Sequence, residues 1–220
     1  MLRLQLIALI LFAAAGLDAT IVDRVAVVVG RRAIKTSDIS EEMRVTGFLN
    51  REQISGTPTA KRKAAERLID QELVRQDLAD GQYSQPTEKD VNALLDQFKR
   101  DRFSGSDARF RAALQQYQLT EEQLRQHLLW QLSVLRFIDQ RFRSGVLVTG
   151  EDIAAYYHEH RAALVKAYPR NNSQQALEPA IREILTGQRV NQAFEAWVAE
   201  TRKSVRIEFR EKAFSGGTSP

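Results

Sequence analysis

Cysteine is missing from all 220 residues. That excludes disulfides and thiolate metal sites, so the fold must hold by packing alone. Histidine is scarce, with three in the chain. His158 and His160 stand two apart in His158-Glu159-His160, so on a helix they face different sides. Zinc protease chemistry needs two histidines four apart. His127, in LRQHLLWQL, reads as a helix-surface residue beside an apolar stripe. No GxSxG, P-loop or Rossmann glycine pattern occurs, and RSGVLVTG has glycines without the strand-to-helix context that binds phosphate. No catalytic, cofactor or metal residue is therefore assigned, and none of these motifs argues for an enzyme.

A large excess of one charge is also missing. Lys and Arg number 32, Asp and Glu 28, for a formal net charge of +4. The signs alternate in EEMR, AERLIDQELVRQD and DQFKRDR, which is the pattern of a solvated helix surface and not of a nucleic-acid stripe. Nor does any apolar run reach the ~20 residues of a spanning helix. The nearest, LQLIALILFAAAG, follows Met1-Leu2-Arg3 and precedes Leu17-Asp18-Ala19. A basic start, a short apolar stretch and small residues form a secretory signal peptide. Cleavage after Ala19 leaves Thr20 as the new N-terminus, with an uncleaved anchor as the alternative. The mature chain, 20–220, is of a size for one domain or at most two.

Strand candidates are few. IVDRVAVVVGRRAIKTSDI reads as a strand, a tight turn at Gly30-Arg31 and a return strand. A lone hairpin is marginal in water. The next strand pattern lies at the far end, where Val205, Ile207 and Phe209 alternate with Arg206, Glu208 and Arg210. The two ends of the mature chain are therefore expected to meet in one small sheet covered by helices.

Between them the period is helical. Ser37-Asp38 caps a first helix to about Asn50, and Pro58 opens a second that Gly81 stops. Pro86-Thr87 opens a third; Ser104-Gly105-Ser106 separates it from a short fourth around Phe110, Leu114 and Tyr117. Thr120 to Gln123 has capping-box spacing and starts the longest helix, to about Ser144. Thr149 to Asp152 opens another. Tyr168 to Glu178 reads as a polar connector, and a last long helix runs from about Pro179 to Lys203. The tail 211–220 reads as flexible. The fold class is mainly α, with amphipathic helices around a small sheet.

Six aromatics, Phe48, Phe98, Phe103, Phe110, Tyr117 and Trp130, fall in the first helical part. Ordinary core is one reading. The other is a groove for apolar segments of a partner, for which Phe48, Phe103, Phe110 and Tyr117 are the candidates, Phe103 and Phe110 foremost because they flank the glycine-serine break.

In order, the export signal, IVDRVAVVVGRRAIKTSDI, AAERLIDQELVRQDLADGQYSQPTEKDV, LTEEQLRQHLLWQL, VTGEDIAAYY and IREILTGQRVNQAFEAWVAETRKSVRIEF resemble the core of SurA-type periplasmic chaperones. The resemblance implies an N-terminal module at 20–165 and a returning C-terminal helix and strand at 178–210, together one chaperone core at 20–210. It implies an ATP-independent holdase of the periplasm whose partners are unfolded outer-membrane proteins or other exported polypeptides. Members commonly carry parvulin-type prolyl isomerase domains before the returning helix. Here Arg161 to Ala180 occupies that place, too short for such a domain, so the expectation is a chaperone without isomerase activity. No nucleic acid and no stable membrane insertion are expected, and helix exchange at the 104–106 break leaves a homodimer open. The rival readings are an envelope adaptor that binds one folded partner, a peptidyl-prolyl isomerase and a basic helical nucleic-acid binder.

Overall fold

Val25–Val29 (β1) and Arg32–Lys35 (β2) form the expected hairpin in the computed structural model, which describes residues 23–214. The expected leader with its cleavage site, and residues 215–220, lie outside the described residues. Gly30 has φ +57° in the turn while Arg31 stays at negative φ, the pattern of a II′ hairpin turn. A side chain at Gly30 would meet only Val205 at an ordinary 3.6 Å, so backbone angle, not space, calls for glycine.

Ile207–Phe209 (β3) completes the sheet in the order β2-β1-β3, antiparallel throughout. Val29 pairs with Ile207, Val28 with Glu208 and Val27 with Phe209. Gly30 N donates to the Arg206 carbonyl and Arg210 N to that of Ala26, both at 2.8 Å. The first and last strands of the described chain thus meet, with the first strand central. β3 is shorter than the alternation from Val205 implies, because Val205 is spent on ending the preceding helix.

Among the described residues seven helices surround this sheet: Thr36–Asn50 (α1), Pro58–Asp80 (α2), Glu88–Phe103 (α3), Asp107–Gln116 (α4), Glu121–Phe142 (α5), Gly150–Ala167 (α6) and Gln174–Ser204 (α7). The architecture is mainly α with a small three-stranded sheet. Helix starts follow local chemistry. Thr57 caps α2 with Pro58 in its first turn, and Thr87, Thr120 and Thr149 form capping boxes with Asp90, Gln123 and Asp152. α1 begins at Thr36. Its first turn is held by Asp23, which accepts from Ser37 N at 3.1 Å and Thr36 Oγ1 at 3.1 Å. Asp38 instead sits in the third helical position and accepts from Lys35 N at 2.8 Å. Gly81 ends α2 at φ −103°, not in the left-handed region. It is glycine because the Tyr83 ring lies 2.2 Å from where a Cβ would be.

Two expectations are corrected. The longest helix is α7, not α5, and it starts at Gln174, so the connector shrinks to residues 168–173. Pro179 lies inside α7, where its missing N–H and ring oppose a helix. Burial of Leu177 and Ile181 against Ile153 and Leu164, with Ser173 as cap, outweighs that preference. Secondly, residues 211–214 of the expected flexible tail have a fixed place. Glu211–Ala213 is a 3₁₀ turn, and Phe214 is buried in the core under the sheet, 5.8 Å from the Phe209 ring. The Arg62 guanidinium lies 4.2 Å over Phe209 and pairs with Glu211 at 3.0 Å.

Among the described residues three apolar clusters carry the packing. One lies under the sheet, with Val27, Val29, Ile39, Ala65 and Ile69; a second joins α1, α3, α4 and α5; a third joins α6 and α7. Phe137, Phe142, Phe194 and Trp197 stack α5 on α7. Arg202 of α7 reaches Asp70 and Glu66 of α2 at 2.6 and 2.7 Å.

The start of α6 gives a pH prediction. Asp152 accepts from Arg189 at 2.6 Å and from Thr149 N at 2.8 Å. The Arg189 bond first, then the Thr149 bonds, hold its carboxyl down at about 2. A folded value below the ordinary ~3.9 means a stabilising contribution that is full above about pH 4 and lost as pH falls towards 2. A carboxyl-carbon NMR titration of Asp152 is expected to show that low midpoint, moving up in Arg189→Gln. An ordinary midpoint in the native protein would contradict the capping geometry.

Candidate functional site: a cleft between the hairpin, α1, α2 and α5

α5 packs closely on α3 and α7 through Leu124, Leu128 and Phe137. Its second stripe, His127, Trp130, Gln131 and Val134, is spaced i, i+3, i+4, i+7 and so shares one face. That stripe looks across to α1 and α2, and the space between is an open cleft of two adjoining recesses, of about 360 and about 580 Å³. Glu42, Gln71, His127 and Trp130 line both.

The two halves differ in chemistry. The larger is walled by Leu49, Trp130, Val134 and Leu135, with Arg67 and Asn50 at its edge. Leu135, on the larger half, is 62% exposed. The smaller is walled by Arg32, Asp38, Glu41, Glu72 and Arg75.

Two buried carboxylates fix the walls. Glu42 accepts from Arg67 Nε at 2.7 Å, Thr46 Oγ1 at 3.2 Å and Gln71 Nε2 at 3.3 Å. Glu72 accepts from Arg75 at 2.8 Å and Gln76 at 3.1 Å, with Arg32 at 3.6 Å. Buried charges satisfied in this way are matters of structure. The Arg75 guanidinium also lies 4.6 Å over the Trp130 ring, holding the indole at the cleft. Burial lowers His127 below the ordinary histidine range, against an upward pull from Glu42 and Glu41. It is therefore uncharged at neutral pH, and the floor between the halves carries no added positive charge.

The four aromatics expected at a partner groove come together, but in the interior. Phe110 is fully buried and Phe48 is 4% exposed. Phe103 lies 5.5 Å from Phe110 and 6.3 Å from Phe48, and Tyr117 lies 5.8 Å from Phe48. Phe48 and Phe110 thus pack in the core, and Phe48 also lines a recess together with Phe103 and Tyr117. Phe103 and Tyr117 are half-buried at the edge of a recess of about 320 Å³ beside Arg51 and Arg102. Of the residues that face the open apolar cleft, Trp130 is among the six aromatics marked by the sequence, whereas Val134, Leu135 and Leu49 are not among the groove candidates. The signal was a surplus: α5 carries Leu128, Leu129, Trp130, Leu132, Val134 and Leu135 in close succession, more apolar positions than one face buries.

Among the described residues no group of three or more His, Asp or Glu is placed to hold a metal ion, and no helix is long and apolar enough to cross a membrane. His160 stacks on Tyr156 with ring centroids 4.0 Å apart. No family model matches this chain, and no curated protein matches its sequence. Fold and site together define a class: a mainly α protein with its end strands joined in one sheet and an apolar cleft open beside α5.

Proposed function

We propose that the protein is an ATP-independent periplasmic holdase that takes apolar and aromatic segments of unfolded outer-membrane proteins, or other exported polypeptides, into the cleft. The observation that carries the reading is the exposed apolar wall of Trp130, Val134 and Leu135 facing Leu49 across about 580 Å³. That volume accepts a few side chains and not a folded domain. The joined ends and the order of helices agree with the SurA-type resemblance of the sequence. The reading gives prolyl isomerisation no part, following the short stretch from Arg161 to Ala180 that the SurA-type resemblance sets in the place of a parvulin domain. Release follows from weaker binding to the folded client than to the unfolded one.

The test is suppression of aggregation of an unfolded outer-membrane β-barrel by the purified protein without nucleotide. Protection near one-to-one is expected. Leu135→Asp should weaken it about tenfold, the loss of burying one leucine-sized contact, while the thermal midpoint stays within a few degrees. Full protection by Leu135→Asp would take the client out of this cleft. No protection by the native protein would remove the holdase reading and favour an adaptor for a folded partner.

A further inference from the structure

A second recess lies on another face of α1, where α1 meets the start of α2 and the end of α4. Its volume is about 320 Å³, and Arg44, Lys61, Met43, Ile54 and Tyr117 are among its walls. None of the described residues lining it is acidic. Arg44 Nε is out of contact with solvent and has no hydrogen-bond partner, the sole buried side-chain nitrogen or oxygen in that state among the described residues. Neither Arg44 nor Lys61 has an ion pair among the described residues, whereas Arg67, Arg141 and Arg202 each hold a carboxylate within 2.9 Å.

A buried guanidinium N–H without an acceptor is costly, and it points to a group that is meant to arrive. Two cations on one recess call for an anion. The guanidinium fork matches a planar carboxylate through two parallel bonds. Met43, Ile54 and Tyr117 beside it call for an apolar body on the same molecule. Lys61 lies in the opening turns of α2, whose N-terminal end adds positive potential.

We infer that this recess binds a carboxylate carried on an apolar residue, either the free end of a polypeptide or an acidic side chain next to an aromatic one. The site is separate from the cleft, whose α1 lining includes Asp38, Glu41, Glu42, Val45, Thr46 and Leu49 but neither Met43 nor Arg44, and does not rest on the holdase reading.

The test follows the arginine Nε–Hε signals of the full chain by NMR during titration. N-acetylphenylalanine supplies a terminal carboxylate, N-acetylaspartylphenylalanine amide a side-chain one, and N-acetylphenylalanine amide lacks the charge. At least one acid should bind saturably, about tenfold or more tighter than the amide, and move the Arg44 signal. The tighter acid identifies the source. Lys61→Gln, at a position without an ion pair, should cut that affinity with the thermal midpoint unchanged, and Arg44→Gln should abolish it. Equal binding of acids and amide, no binding of either acid, unchanged affinity in Lys61→Gln, or inorganic phosphate binding as tightly as the better acid would each overturn the inference.

Discussion

Phe110→Ala is expected to lower unfolding stability by about 3–5 kcal/mol. For a chain of this length that means a fall in thermal midpoint of roughly 10–15 °C. The ring is fully buried. It sits edge-on to Phe103 at 5.5 Å and to Phe48 at 6.4 Å, and the Lys99 ammonium lies 4.5 Å over its face. Lys99 in turn reaches Glu121 at 3.2 Å, at the start of α5. Truncation therefore opens a cavity at the point where α1, α3, α4 and α5 meet, and none of these helices can close it without leaving another partner. Phe110→Leu should lose less than half as much, because most of the volume stays filled. Urea unfolding is the measurement, and the midpoint should fall with an unchanged slope. A loss below about 1 kcal/mol, with client protection weakened in a folded protein, would return Phe110 to a surface role. The contrast with Leu135→Asp is the point of the pair. One residue should affect stability first and the other binding alone.

That contrast also marks where the sequence was legible. Features fixed within four residues could be read: the Thr87, Thr120 and Thr149 capping boxes depend only on a hydroxyl and a partner three positions on. The closure of the sheet could be read as well, since a hairpin with few other strand candidates needs the terminal strand. The start of α7 could not. Pro179 and its polar neighbours argue locally against a helix, and the opposing term is the burial of Leu177 on α6, a tertiary fact. Phe214 was lost in the same way, as one apolar residue ahead of SGGTSP that docks under a sheet 185 residues away in sequence from Val29. The placement of the candidate aromatics has a related cause. The break at Ser104-Gly105, with φ of +52° and +71°, looked like a place of incomplete burial. It instead folds α4 back so that Phe103 and Phe110 face each other. Helical period shows which residues share a face, but not which face lacks a neighbour. The cleft wall of Val134 and Leu135 therefore follows from how α5 stands off from α1 and α2, and not from its period.

Ending the chain at Ser204 should have the largest effect of all. Deletion of 205–220 removes β3 and with it Val205, Ile207, Phe209 and Phe214, which pack in the cluster under the sheet with Val27, Val29 and Ile69. Four such side chains contribute roughly 6 kcal/mol by area removed from water, comparable with the ~5–15 kcal/mol that holds a whole domain. The edge of β1 also loses the partners of Gly30 N and the Ala26 carbonyl, and a two-stranded hairpin does not persist alone. The shortened protein should therefore lose hydrogen-exchange protection throughout β1 and β2 and unfold without a sharp thermal transition. The cluster around Phe110 contains none of the deleted residues, so slow exchange there should outlast that of the sheet. A peptide covering 203–214, added to the shortened chain, should restore protection at Val27 and Val29, because it supplies both the strand and the Phe214 plug. Native protection of β1 without the peptide would show that the hairpin is closed by something other than β3. Failure of the peptide to restore it, at concentrations where it binds, would show that α7 must be covalently joined to the strand for the sheet to form.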